Sequence, residues 1–152
     1  MAKEIERKFL VTDTSYQSMA VRALKISQGY ISLRPEGTVR VRIKGDRGYL
    51  TVKGMTTGGT TRDEWEYQIP AEDARQMLER VTEGVVIEKT RYEVPFGGHV
   101  WEVDCFEGAL SGLTVAEVEL SEASERVELP PFVGEEVTGN PRYYNSSLAG
   151  LV

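Results

Sequence analysis

The sequence predicts an α+β protein that is mainly antiparallel β, folded as a barrel or strongly curved sheet with few helices. Three observations lead there. About eight stretches alternate apolar and polar residues with the two-residue period of a strand. Glycine-bearing turns join several of them, and helical spacing is confined to short segments. Charge is also sorted by sign along the strands: Glu4 and Glu6 with Lys8 next; Arg40, Arg42 and Lys44; Glu64 and Glu66; Lys89 and Arg91; Glu117 and Glu119. Residues i and i+2 of a strand share a face. Each set therefore crowds like charges onto one surface, which is unfavourable unless opposite charge lies between them. If these faces turn inward, the barrel interior is polar and wide enough for a ligand and water. Val39, Val41 and Ile43, and Trp65, Tyr67 and Ile69, then pack outward beneath the helices.

The elements follow in order. Residues 2–12 form a strand with Ile5, Phe9 and Val11 opposite Glu4, Glu6 and Lys8. Residues 13–24 read as a short helix capped by Asp13 or Thr14. Strands follow at 27–34 and 38–44, and the turn Gly45-Asp46-Arg47-Gly48 leads into a hairpin partner at 49–53. Residues 55–61, M-T-T-G-G-T-T, read as a mobile loop before a strand at 62–69. Pro70 opens a helix in which Ala74, Met77, Leu78 and Val81 share one face. Strands at 85–94, 99–106 and 113–120 are joined by Gly97-Gly98 and by a turn flanked by Gly108 and Gly112. Residues 121–139 read as helix plus loop, and Asn140-Pro141 opens a final helix over 141–149. No linker divides the chain, so residues 1–152 are expected to form a single domain.

Composition narrows the function. A net charge of −6 argues against a general nucleic-acid binder. The single Cys105 has no partner, which suits a reducing cytoplasm. The N-terminus is too charged for a signal peptide, and no apolar run reaches membrane-spanning length. There is no P-loop, no G-x-G-x-x-G and no G-x-S-x-G, and His99 alone makes no zinc site. Trp65 and Trp101 read as core. What remains is the sorted charge. Any one set is explained by a solvated face with cross-strand Lys–Glu pairs. Five sets in one small domain favour a site for a polyanion and a metal: carboxylates for hard cations, Arg and Lys for phosphates.

The opening E-I-E-R-K is an E-x-E-x-K motif. With Q-G-Y-I-S at 28–32, V-R-V-R-I-K at 39–44, L-T-V-K at 50–53, E-W-E at 64–66, E-K-T-R-Y at 88–92, W-E-V-D at 101–104, A-E-V-E-L at 116–120 and V-T-G-N-P-R-Y-Y-N-S-S-L-A at 137–149, the chain resembles the CYTH superfamily, the triphosphate tunnel metalloenzymes, along nearly its whole length. It looks most like the short bacterial tripolyphosphatases. The resemblance implies an eight-stranded closed β-barrel forming a charged tunnel, with a few flanking helices. It implies Glu4, Glu6, Glu117 and Glu119 as metal-side carboxylates, with Glu64, Glu66 and Asp104 supporting or adding to them. Lys8, Arg40, Arg42, Lys44, Lys53, Lys89 and Arg91 would grip phosphates. Lys8, Tyr30, Lys53 and Lys89 are the catalytic candidates, Tyr30 and Lys53 through their match to a pair associated with tripolyphosphate use. Mg²⁺ or Mn²⁺, two ions, are the implied cofactors.

The activity that follows is metal-dependent cleavage of inorganic tripolyphosphate to pyrophosphate and phosphate. A class IV-type adenylate cyclase or a nucleoside or thiamine triphosphatase shares the same grip, and a non-catalytic polyphosphate binder would need the basic wall but not the acidic pairs. The base is open between metal-activated water and Lys53 or Lys89. The expected partner is a small-molecule triphosphate, without nucleic acid or membrane, in a cytoplasmic protein that resembles homodimeric relatives. The final helix is expected to close one end of the tunnel.

Overall fold

The computed structural model describes residues 2–55, 57 and 61–150. Nine strands order as β5-β4-β3-β2-β6-β7-β8-β1-β9, and a further β5–β1 pairing closes the first eight into a barrel. They are β1 (Ala2–Val11), β2 (Arg22–Ser32), β3 (Thr38–Lys44), β4 (Arg47–Lys53), β5 (Thr61–Ile69), β6 (Glu83–Phe96), β7 (His99–Phe106), β8 (Thr114–Glu119) and β9 (Val133–Glu136). Every pairing is antiparallel. The helices are α1 (Tyr16–Met19), α2 (Ala71–Arg80) and α3 (Asn145–Ala149). The expected closed barrel with few helices is therefore present, with one strand added outside it. Of the 55–61 loop, residues 56 and 58–60 lie outside the described residues.

Two expected elements differ. The helix over 13–24 is a single turn, because β2 begins at Arg22 and pairs with β6 from Arg22↔Glu93 to Tyr30↔Glu83. A long ladder outweighs weak local helix propensity. Asp13 accepts from the Ser15 backbone and hydroxyl at 2.8 and 2.6 Å, making a turn ahead of the helix rather than capping it. Residues 121–139 hold no helix. Pro130-Pro131 interrupts them, Phe132 is fully buried, and β9 runs beside β1, pinned by Arg7 to Glu136 at 2.7 and 2.9 Å. The final segment is a 3₁₀ turn at Pro141–Tyr143 followed by α3, with Asn140 accepting from the Arg142 backbone.

The core lies outside the barrel. Phe9, Val94, Trp101, Val103, Ala116 and Val118 face away from the tunnel and pack against Tyr16, Leu120 and Phe132. Trp101, expected in the core, is fully buried. α2 covers β3 and β4, so Val41 is buried and Ile43 half-buried. It approaches so closely that a Cβ on Gly48 would stand 2.9 Å from the Ala74 Cβ. The expectation that Trp65, Tyr67 and Ile69 sit under a helix does not hold throughout, since α2 stops short of β5 and Tyr67 is 61% exposed. Inside the barrel, one end is apolar: Tyr30, Ile87, Phe106 and Val115 receive Leu148 and Ala149 of α3. The final helix thus packs into the barrel end, as expected.

Candidate active site

The strand registers bring the sorted charges to one interior wall. Lys8 stands opposite Glu117, Arg91 opposite Asp104, Lys53 opposite Glu64, and Glu6 opposite Glu119. They enclose a cavity of about 210 Å³. Its lining includes Glu4, Glu6, Lys8, Tyr30, Arg40, Arg42, Lys44, Lys53, Glu64, Glu66, Arg91, Glu117 and Glu119. These are all of the residues named from sequence except Lys89 and Asp104.

Those two stand behind the wall. Asp104 is 3% exposed, and both its oxygens are taken: Oδ1 accepts from Arg91 Nε at 2.7 Å, and Oδ2 from Arg91 Nη2 at 2.9 Å and Lys89 Nζ at 2.7 Å. It orients Arg91, which is the supporting one of the two places expected for it. Lys89 is fully buried, also reaches Asn145 Oδ1 at 3.4 Å and does not line the cavity. Burial, opposed by Asp104 and reinforced by Arg91, depresses its ammonium to about 8.

The remaining charges form linked groups. Lys53 Nζ donates to both Glu4 oxygens at 2.8 and 2.9 Å and lies 3.5 Å from Glu64. Lys8 Nζ lies 3.1 Å from Glu117 and donates to the Tyr143 carbonyl at 3.0 Å, tying the final segment to the site. Glu66 Oε2 accepts from Thr51 Oγ1 at 2.8 Å and Arg40 Nη2 at 3.4 Å, with Arg42 Nη2 at 3.6 Å.

Burial and neighbouring charge split the carboxyl groups. Burial, then the nearby Glu117 and Glu4, push Glu6 well above its ordinary value. Burial, a hydrogen bond to Glu4 and the Glu4 charge raise Glu64 to about 7. Glu119 is raised by burial and by Glu4 and Glu102. Burial works against Glu117, but Lys8 and Arg91 hold it down to about 2. It works against Glu4 likewise, and Lys53 holds that group below its ordinary value. On the basic wall, burial, then Arg40 and Arg91, lower Arg42 to about 10.

Glu64 is thus raised to about 7 beside Glu4, and Glu6 well above its ordinary value beside Glu117. Carboxylates crowded in this way favour either a proton on one member or a cation between them, and oxygen donors suit a hard cation. Among the described residues no three His, Cys, Asp or Glu side chains converge as a complete metal cage. That suits Mg²⁺-like binding, in which one or two carboxylates act together with substrate phosphates. The donor set therefore fits a hard divalent cation.

The cavity also holds residues that the sequence analysis did not single out: Thr38, Arg62, Glu102, Thr138, Gly139, Tyr144, Asn145 and Ser146. Arg62 and Glu102 carried a usable signal, each two residues from a named inward residue, Glu64 and Asp104. The residues from Thr138 to Ser146 lie in the 137–149 motif and the segment expected to close the tunnel, but no strand alternation marks which of them line it.

A family model described as "CYTH domain" matches residues 2–148. An inorganic triphosphatase of Acetivibrio thermocellus is 48% identical over 148 residues, covering 97% of this chain and 94% of that protein. One from Nitrosomonas europaea is 41% identical over 151 residues, covering 96% of each. A crystal structure of an inorganic triphosphatase superposes with a TM-score of 0.71 at 36% identity, covering 100% of this chain and 97% of that one. With the sorted interior charge in place, the chain belongs to the CYTH domain family, whose triphosphate tunnel metalloenzymes use a divalent metal.

Proposed function

We propose that this protein hydrolyses inorganic tripolyphosphate to pyrophosphate and phosphate with a divalent cation, Mg²⁺ or Mn²⁺, bound as two ions. The observation that carries the reading is the barrel cavity whose walls hold Lys and Arg beside crowded carboxyl groups. The naming of its relatives as inorganic triphosphatases supports it.

Arg40, Arg42 and Arg91 offer planar donors to phosphoryl oxygens, and Lys8 and Lys53 add compact charge. Asp104 fixes the Arg91 fork through two hydrogen bonds, so less orientation is lost on binding. Glu4, Glu6, Glu64, Glu117 and Glu119 would hold the metal, the raised groups among them losing their protons as it enters. When bound, the cation supplies charge neutralisation at the phosphates and activation of the attacking water. The water oxygen bonds to a terminal phosphorus as the bond to the bridging oxygen breaks, leaving phosphate and pyrophosphate. Lys53 is ion-paired to Glu4 and Glu64, and Lys89 is sealed behind Asp104 and Asn145. Both ammonium groups are engaged by carboxylates, which favours lowering of the water's pKa by the cation over proton abstraction by either lysine. Tyr30 lines the cavity near Lys8 and stays a substrate-side candidate.

One observation favours a second reading. A largely apolar cavity of about 320 Å³, walled by Leu33, Pro35, Met55 and Pro141, shares Thr38, Arg62, Tyr144 and Ser146 with the tunnel. It could take the organic part of a nucleoside or thiamine triphosphate. Phosphate and pyrophosphate release from tripolyphosphate, ATP and thiamine triphosphate, with Mg²⁺, Mn²⁺ or EDTA, separates the readings. Metal-dependent release from tripolyphosphate alone supports the first. Comparable turnover of the organic substrates supports the second, and pyrophosphate from ATP without free phosphate indicates a cyclase. The proposed setting is cytoplasmic and the proposed assembly a homodimer. No helix among the described residues is long and apolar enough to cross a membrane.

A further inference from the structure

We infer that Gln28 is a positioning residue for Arg42: its buried amide holds the Arg42 guanidinium in the orientation that grips a phosphoryl group. This rests on the triphosphate reading above and deepens it.

Gln28 lies on the inward face of β2, between Ile26 and Tyr30, and is 0% exposed. Among the described residues neither its Oε1 nor its Nε2 has a hydrogen-bond partner. A buried primary amide with all its bonds unmade is costly, and such groups are rare unless the site has a use for them. Its cross-strand neighbours are Arg42 on β3 and Ile87 on β6. Ile87 offers no polar atom, so Arg42 is the side chain across the strand that can answer the amide.

Arg42 has the matching deficiency. Its Nε is buried and unpartnered, and its nearest carboxylate oxygen, on Glu66, stands 3.6 Å from Nη2, beyond a normal hydrogen bond. Arg91, one strand beyond β2 on β6, is held quite differently, with Asp104 accepting from both Nε and Nη2. Gln28 stands to Arg42 as Asp104 stands to Arg91, with one chemical difference. An amide oxygen can orient a guanidinium without neutralising it, which leaves the full charge for an anion. A phosphoryl group drawing the Arg42 Nη atoms toward the cavity would turn Nε–H toward Gln28 Oε1.

A glutamine that merely fills space behaves otherwise. Replacing it by an apolar side chain of similar length would relieve an unsatisfied group and raise stability, with no change in ligand binding. The test is Q28M, followed by thermal melting, by calorimetric titration of tripolyphosphate in EDTA, and by kcat and KM with metal present. The expected result is a melting temperature equal to or above the parent's, tripolyphosphate Kd and KM each raised at least about tenfold, and a smaller change in kcat. The same substitution in an R42A background should add less than about twofold, because the residue through which it acts is gone. Q28E, which puts a carboxylate opposite Arg42, should weaken tripolyphosphate binding as well by competing for the guanidinium. Should Q28M fail to fold, Q28N carries the same comparison, since it keeps the amide but withdraws it from Arg42. Kd and KM within about twofold of the parent, or an undiminished effect in R42A, overturn the inference. Parent protein that neither binds nor cleaves tripolyphosphate overturns the function instead, so the two failures are distinct.

Discussion

Asp104→Ala isolates the buried ion cluster that orders the basic wall. In the folded protein the carboxylate takes two hydrogen bonds from Arg91 and one from Lys89, and the three side chains are 4%, 6% and 0% exposed. Without it, Lys89 loses its carboxylate partner and Arg91 keeps only Glu102, at 3.2 Å, so a buried cation is left unpaired. Breaking a buried pair from one side costs about 3–5 kcal/mol, against a total of about 5–15 kcal/mol for a domain. At about 2–4 °C per kcal/mol for a chain of this size, the melting temperature should fall by roughly 6–20 °C. Adding K89M to D104A removes one of the two cations and should recover part of the loss. The pH dependence has a definite sign. Burial pushes Asp104 up, but Arg91 and Lys89 override it and hold the group well below its ordinary 3.8. A depressed carboxyl stabilises the fold above its unfolded value and loses that contribution as pH falls toward the folded one. The gap between parent and D104A should therefore be full at pH 7 and narrow only in strong acid. Differential scanning calorimetry at several pH values reads both effects. A D104A melting temperature within about 2 °C of the parent at pH 7 would refute the reasoning, since no uncompensated buried charge could then exist.

Other expectations follow from the same geometry. Arg42→Ala removes charged hydrogen bonds worth about 1.5–3 kcal/mol each, so KM for tripolyphosphate should rise about tenfold to a hundredfold with the metal titration curve unchanged; steady-state kinetics at varied metal checks it. Glu4→Gln should cut metal affinity at least about tenfold while the fold persists, read by calorimetric Mn²⁺ titration. Glu64 holds its proton up to about 7, so metal affinity should climb as pH rises from 6 to 8, with protons released on binding; a flat profile would remove Glu64 from the metal site. Gly84 has φ 68°, and a Cβ there would meet the Ala149 carbonyl oxygen at 2.3 Å. Gly84→Ala should cost about 1–3 kcal/mol and loosen α3, seen as faster hydrogen exchange at 145–149 with reduced turnover.

How much of the site was legible depended on where each residue's signal lived. Glu4, Glu6, Arg40, Arg42, Glu64, Glu66, Glu117 and Glu119 announced themselves because strand alternation is a local rule, and like charges two residues apart repel unless a counter-charge is brought between them. The same rule placed Lys89 and Asp104 on the inward face but carried no depth along the barrel. Both face inward, yet they pair with each other and with Arg91 and do not line the cavity. Gln28 was passed over because a single amide inside an alternating strand has no pattern of its own. Its meaning came from the cross-strand neighbour, which register alone assigns.

The elements divide the same way. Strong alternation at 38–44 and 99–106 specified strands whose ends match the observed ones. Residues 22–26 lacked a decisive period, and pairing with β6 drew them into β2. By itself the sequence determined the strands, the sign of charge on each inward face and, through its ordered motifs, the family, because these rest on spacing along the chain. Only the tertiary structure decided which charges meet solvent in the cavity, which are consumed in buried pairs, and that the final segment reaches Lys8 and Lys89. Those outcomes depend on barrel closure and strand register, which set distances between residues far apart in sequence.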